Sequence, residues 1–313
     1  MYDRKLTNTI LYGILAILCI FLTDTNLVKA GTYNGVNLWL FTIVPTLFPF
    51  IFISEMLNYL NGFIPVSKIL YPISKSLFKI SRNGNYSLIM GYLCGFPMGA
   101  KVTSDLLKQK YICKTEAEYL TCITNNLSPG FITGYYCTYI LNNKSLFIPS
   151  VISIYSGQIL CAIILRYTKY KAYSFMDIQI QANSTNSDKK LPKLDIIMKN
   201  TFLSLLKIGG YIIIFSILCV YIKALPCNAN IKIILTSMAE ITSGLNLMTS
   251  GNISSISKFI IGTTAISFGG ISGIFQTRSI ITGCNINIIG YTFTRLLCAI
   301  FTLLTAVVIL LFI

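Results

Sequence analysis

Three cations, Lys101, Arg278 and Arg295, lie inside long apolar stretches of the chain. A charge held in hydrocarbon costs roughly 2.5 to 3.5 kcal/mol even on the mildest scale, so each is a functional candidate. Converging on one pocket, they would suit an anion such as a small carboxylate. Asp105 stands one helical turn from Lys101 and offers it a plain neutralising partner. Lys207 lies near the end of its apolar run and is expected to snorkel to water. Glu55 and Glu240 read equally well as site carboxylates and as interfacial ones.

A second set of candidates is made of backbone. Gly91-Tyr92-Leu93-Cys94-Gly95-Phe96-Pro97-Met98-Gly99-Ala100-Lys101 is apolar but too broken for a stable lipid-facing helix, because glycine is costly inside helices and Pro97 lacks a donor. Irregular backbone is tolerated at membrane depth only where protein or a water-filled cavity covers it. A re-entrant hairpin satisfies that condition and presents free N–H groups to an anion. The alternative is a kinked spanning helix with small residues for close packing. Ser267-Phe268-Gly269-Gly270-Ile271-Ser272-Gly273-Ile274-Phe275-Gln276-Thr277-Arg278 has the same character, and Thr124-Asn125-Asn126-Leu127-Ser128-Pro129-Gly130 interrupts another apolar run with polar groups. The substrate-binding candidates are therefore Gly95, Pro97, Gly99, Lys101, Asn125, Asn126, Ser128, Gly269, Gly270, Gln276, Arg278 and Arg295.

Composition limits what else the chain does. Of 313 residues 54% are hydrophobic and 11% charged, about half the charge of a soluble protein. Histidine is absent, which removes the commonest general base and zinc ligand. No catalytic centre, metal site or cofactor motif is expected. The ten cysteines form no C-x-x-C pair and read as packing residues. The formal charge of +15 falls in loops between apolar runs, which suits a lipid bilayer and argues against nucleic acid.

The elements that must position the candidates follow from the apolar runs. Spans are expected over residues 10–22, 36–60, 119–140, 146–165, 201–221 and 286–313, each broken or whole, with about 20 apolar residues needed to cross 30 Å. Residues 61–84 and 231–248 read as interfacial helices, and residues 86–107 and 259–283 as re-entrant hairpins. The domains expected are an N-terminal transmembrane segment (1–35), a first repeat (36–166), a polar cytoplasmic linker (167–195) and a second repeat (196–313). Placing the N-terminus in the cytoplasm puts sixteen lysines and arginines on the cytoplasmic side and five outside. The fold class is then an all-α polytopic membrane protein of inverted repeats, each with an interfacial helix, a re-entrant hairpin and a broken span, as in many secondary transporters. In the side-by-side reading Gly95-Phe96 stands opposite Gly270-Ile271, and Glu55 opposite Glu240.

Asn37-Leu38-Trp39, Val44-Pro45-Thr46-Leu47-Phe48-Pro49-Phe50, Ser54-Glu55, Gly95-Phe96-Pro97-Met98-Gly99-Ala100-Lys101, Thr124-Asn125-Asn126-Leu127-Ser128-Pro129 and Ser267-Phe268-Gly269-Gly270 resemble the YlbJ-type sporulation integral membrane proteins. The likeness covers roughly residues 36–300. It implies kinship with proteins of the nucleoside recognition or Gate domain, and with the fold of concentrative nucleoside transporters. It also implies a multi-pass protein of the bacterial cell membrane, the outer forespore membrane in a spore former, that passes dipicolinate toward the forespore. The expected function is transport of a small anionic solute, with dipicolinate as the partner the resemblance implies. A structural or assembly protein of the spore membrane and a nucleoside carrier are the alternatives, and self-association into a homo-oligomer stays open.

Overall fold

The computed structural model describes residues 4–60, 63–175, 194–251 and 253–312, and among these every regular element is helical. Most of the linker expected at 167–195 lies outside the described residues. Five helical stretches are long and apolar enough to cross a membrane: Thr25–Tyr59, Lys144–Tyr167, Leu194–Ala224, Ser255–Ile280 and Ile288–Leu310. The protein is a multi-pass membrane protein.

The chain opens with α1 (Arg4–Thr23), capped off by Asp24, whose carboxylate accepts from the Leu27 amide and starts α2 (Thr25–Asn37). A π-helical stretch, Leu38–Ile43, carries α2 without interruption into α3 (Val44–Tyr59). The domain boundary expected at residue 35 thus falls inside a continuous 35-residue helix. Two short helices follow, α4 (Phe63–Ser67) and α5 (Tyr71–Phe78), in the stretch expected to lie at the interface.

Next, α6 (Arg82–Cys94) and α7 (Met98–Lys108) fold back on each other through Gly95-Phe96-Pro97. Ser87 Oγ donates to the Gly99 carbonyl at 3.0 Å and bonds the Thr103 hydroxyl, tying the arms together. At about 1.5 Å per residue each arm is under 20 Å long, too short to cross. This is the hairpin the sequence led us to expect. Then α8 (Lys114–Thr124) ends, residues 125–128 run free, and α9 (Pro129–Phe131) resumes into a π-helical stretch, Ile132–Ile140. A 3-10 turn at Lys144–Leu146 leads into α10 (Phe147–Tyr167).

The second half holds α11 (Leu194–Ala224), α12 (Ala229–Ala239), α13 (Ile241–Ser250), α14 (Ser255–Phe268), α15 (Gly270–Ile280) and α16 (Ile288–Leu310). Here the structure corrects the expected order. The pair that folds back is α12 and α13, where an interfacial helix was expected, and the chain reverses at a single extended residue, Glu240. A Cβ on Gly244 would lie 2.3 Å from the Ser237 Cα, which shows how closely those arms pack. The glycine-rich stretch expected to be the second hairpin is a broken span instead: α14 and α15 continue apart from each other across Gly269. Gly95 and Gly270 are therefore not equivalent, since one stands in a hairpin turn and the other in a break. Glu55 and Glu240 are not equivalent either: Glu55 sits within α3 and Glu240 at a hairpin tip. Each half holds a long apolar helix, a pair of short helices folded back on each other, an interrupted helix and a second long apolar helix.

Candidate functional site

Both breaks in the helices leave backbone groups that water cannot reach, and each has been given a partner. In the first break the Phe96 amide, at the hairpin tip, donates to the Asn126 carbonyl. Tyr155 Oη donates to the Leu127 carbonyl at 2.9 Å, and Ser128 Oγ caps α9 by accepting from the Phe131 amide at 3.2 Å. In the second break, Arg295 Nε donates to the Phe268 carbonyl at 3.1 Å. A guanidinium at the carboxyl end of α14 also meets the negative end of that helix dipole.

Glycines of the first motif dock the hairpin. A Cβ on Gly91 would lie 2.0 Å from the Thr124 carbonyl oxygen and one on Gly99 2.2 Å from the same atom, so the two arms straddle the end of α8. Gly95, with φ +84°, touches Ser128 in the same way, its Cβ position 2.6 Å from the Ser128 nitrogen. Gly99, Asn125 and Pro97 are buried in this joint.

A polar network then joins the two breaks. Arg295 Nη1 donates to Asn126 Oδ1 and to Gln158 Oε1, both at 3.2 Å, and Gln158 Nε2 donates to Ser267 Oγ at 3.0 Å. Thr302 Oγ1 completes it with a 2.8 Å bond to Ser267 Oγ. Asn125 Nδ2 reaches Thr277 Oγ1 at 2.8 Å and Tyr291 Oη at 2.7 Å. Arg295 is only 2% exposed, yet among the described residues no carboxylate pairs with it.

Where hairpin tips and breaks meet, a cavity opens. Its walls come from Cys94, Gly95 and Phe96 of the first hairpin and from Glu240, Ile241 and Thr242 of the second. Leu127, Ser128 and Phe131 face it from the first break, Gly269, Gly273 and Gln276 from the second. Thr46 and Leu47 of α3 with Ile208 and Ile212 of α11 close it. Of the expected site residues Gly95, Ser128, Gly269 and Gln276 line this cavity. Gly270 lies against Ala239 and Ile241 at the second hairpin tip.

The three cations do not converge on it. Lys101 pairs with Glu55 and, at 3.0 Å, with Asp105, whose carboxylate also accepts from Asn58 Nδ2 at 3.2 Å. These groups line a separate cleft with Lys108, Asn200 and Lys207. Arg278 is exposed in the last turn of α15. Only Arg295 stands near the cavity, with Nη2 3.4 Å from where a Cβ on Gly269 would lie.

Glu240 is the main residue of the cavity that the sequence left unassigned. Its Oε2 accepts from the Ser243 amide at 2.6 Å, and Oε1 from the Thr242 amide at 3.2 Å and hydroxyl at 2.6 Å. The carboxylate caps α13 while facing the cavity, and the helix N-terminus stabilises its charge. An acidic residue two or three places ahead of Thr-Ser, after an apolar run, was the signal for this cap.

The cavity is the middle one of three along the face that α2–α3 and α11 together present to the hairpins and broken helices. A cleft lined by Asn34, Asn37, Lys223 and Ser243 lies toward one end, and the Glu55–Lys101 cleft toward the other. From Thr46 to Glu55 and from Ile208 back to Asn200, helical rise gives about 12 to 14 Å to the second cleft. From Thr46 back to Asn34 and from Ile212 to Lys223 it gives about 16 to 18 Å to the first. The three together span about 30 Å, the thickness of the hydrocarbon core.

Sequence comparison places this architecture. A relative, the sporulation integral membrane protein YlbJ of Bacillus subtilis (strain 168), is 27% identical over 298 residues, an alignment covering 84% of this chain and 73% of the relative. This chain is similar to the YlbJ-type sporulation integral membrane proteins. No family model matches it, and no solved structure gives a significant match. In this chain the motifs Gly95 to Lys101 and Asn125 to Ser128 form the joint between hairpin and broken helix just described.

Proposed function

We propose that the protein is a carrier, with no catalytic centre of its own, that moves a small, flat, carboxylate-bearing solute across a membrane of the sporulating cell. The observation that carries this reading is the line of three cavities along one seam, with two hairpin tips and two helix breaks meeting at the middle one. A purely structural protein has no need of a cavity there. In this reading the two halves are inverted repeats: with the lysine-rich side inside, the first hairpin enters from the cytoplasm and the second from the opposite face. That arrangement resembles the Gate-type design of nucleoside carriers, a likeness of plan only.

Phe96 and Phe131 offer aromatic walls to a planar ring, while Gln276, Ser128 and Thr242 offer hydrogen bonds. Arg295 supplies the countercharge, reaching the cavity past Gly269, where any side chain would stand in its way. Dipicolinate, a flat dicarboxylate, is the first solute to test, in keeping with the sporulation name of the relative, and the outer forespore membrane is the site of action that reading implies. A second reading, a neutral solute of nucleoside size, is favoured by the uncharged lining outside Glu240. Uptake of labelled dipicolinate and of labelled uridine into vesicles containing the purified protein separates the two. Saturable dipicolinate uptake, absent from empty vesicles, is the expected result; uptake of uridine alone selects the second reading, and uptake of neither removes the carrier.

A further inference from the structure

Away from the cavity line, a cleft opens between α5, the end of α10 and the turn that follows it. Four cations line it, Lys75, Lys79, Arg166 and Lys171, and among the described residues no carboxylate lines it. Such a cluster repels itself unless an anion joins it. Arg166 is 5% exposed and fixes the turn: its Nη1 donates to the Tyr170 carbonyl and its Nη2 to that of Tyr173 at 2.8 Å, while Nε has no partner. The guanidinium also lies 5.1 Å from the centre of the Phe175 ring. Lys79 stands over the Tyr167 ring at 4.7 Å and Lys75 over the Tyr71 ring at 5.7 Å, so both stems are held near the cleft.

We infer that this cleft binds the phosphate of an anionic phospholipid of the cytoplasmic leaflet. Its position decides between a lipid and a soluble anion. Directly beside the cations, α5 exposes Ile73 and Leu77, and α10 exposes Leu160 and Ile164. A headgroup seated on the lysines would have its acyl chains against those side chains, whereas free phosphate would gain nothing from them. Basic pockets at helix ends on the cytoplasmic side are a recurring solution to anionic headgroups.

The test uses the purified full-length protein in detergent, titrated with phosphatidylglycerol, with phosphatidylcholine of the same chains, or with inorganic phosphate, and reads the thermal unfolding midpoint. Phosphatidylglycerol is expected to raise the midpoint above the phosphatidylcholine value in the wild type. The double variant Lys75→Gln/Lys171→Gln leaves buried Arg166 in place and should unfold normally without lipid. Its half-saturating phosphatidylglycerol concentration should rise at least fivefold, since each lysine near such a surface is worth about fivefold in affinity. Lys75→Arg/Lys171→Arg should restore the response, and Lys110→Gln/Lys114→Gln should leave it unchanged. The inference is overturned if the Gln double variant responds as the wild type does, if phosphatidylcholine gives an equal shift, or if the Lys110/Lys114 variant loses the response. A midpoint shift from inorganic phosphate equal to that from phosphatidylglycerol also overturns it.

Discussion

The backbone amide of Phe96 donates to the carbonyl of Asn126, so the tip of the first hairpin and the gap in the first broken span form one joint. Gly91, Gly95 and Gly99 bring the chains close enough for that bond. At Gly95 the requirement is doubled, because φ is +84° and ψ −177°, a region that only glycine occupies comfortably. Gly95→Ala should cost about 1 to 3 kcal/mol from backbone strain before any clash is counted. Gly99→Leu should separate the hairpin from α8 and abolish solute uptake while the protein still inserts. Uptake at wild-type rate by Gly99→Leu would show that the joint does not matter to function.

Arg295 is expected to act on both the scaffold and the solute. Arg295→Gln removes a guanidinium that bridges both breaks, and charge-assisted bonds of about 1.5 to 3 kcal/mol should be lost, equal to roughly ten- to a hundredfold weaker dipicolinate binding. Arg295→Lys should rescue only in part, since one ammonium cannot reach Phe268, Asn126 and Gln158 in the same plane. Lys207→Gln, at an exposed position, should bind as the wild type does. Calorimetric titration of dipicolinate into the three purified variants checks the order.

Glu240→Gln keeps an oxygen for capping α13 and removes a negative charge from the cavity wall. If the solute is an anion, this variant should bind dipicolinate more tightly than the wild type, with a loss of about 1 kcal/mol or less in stability. Weaker dipicolinate binding in this variant would argue for a neutral or cationic solute.

For the Lys101 cluster the prediction concerns stability. Lys101→Met leaves Glu55 and Asp105 mostly buried beside each other and should cost about 3 kcal/mol, read as a fall in unfolding midpoint. Adding Glu55→Gln should recover part of that loss. Additive losses in the double variant would mean that the pair contributes nothing.

Orientation is open to a labelling experiment. In a cysteine-free background, Ser174→Cys should react with an impermeant reagent only from the cytoplasmic face and Ser254→Cys only from the other. Labelling of both from one side would remove the inverted arrangement.

How much of this was legible beforehand depended on what broke the helix. Gly95-Phe96-Pro97 announced a turn because glycine and proline are costly in helix interiors, and a turn is what they make. Gly269-Gly270 carried the same signal, but both residues at positive φ, 89° and 69°, only offset two helical segments without reversing the chain. The true second hairpin turns at Glu240, a residue with φ −147° and ψ 121° that any side chain can adopt, so no glycine or proline marked the turn, and the Glu-x-Thr-Ser pattern marked only a helix cap. Asn125 and Asn126 were legible as a break, because polar amides in an apolar span need partners. Their partners, Tyr291 and Arg295, lie more than 160 residues on and follow only from packing. The same holds for Lys101: its nearness to Asp105 was local, and its pairing with Glu55 was not.

The seam that holds the three cavities is fastened unevenly. On one side of it α2 and α11 lock together, Gly31 against Ile217 and Gly35 against Ile213, with the Trp39 indole donating to the Leu205 carbonyl at 3.0 Å. On the other side Arg295 and its partners bind hairpin, breaks, α10 and α16 into a second block. Across the seam, the ion pairs found among the described residues are those of Lys101 with Glu55, at the end formed by α3 and α7, backed by Asn58 and Asp105. At the far end Lys232 donates to the Lys223 carbonyl, a bond with no opposing charge. Charge therefore ties the two sides together at the Glu55–Lys101 edge, while the opposite edge holds the Lys232–Lys223 bond without a countercharge.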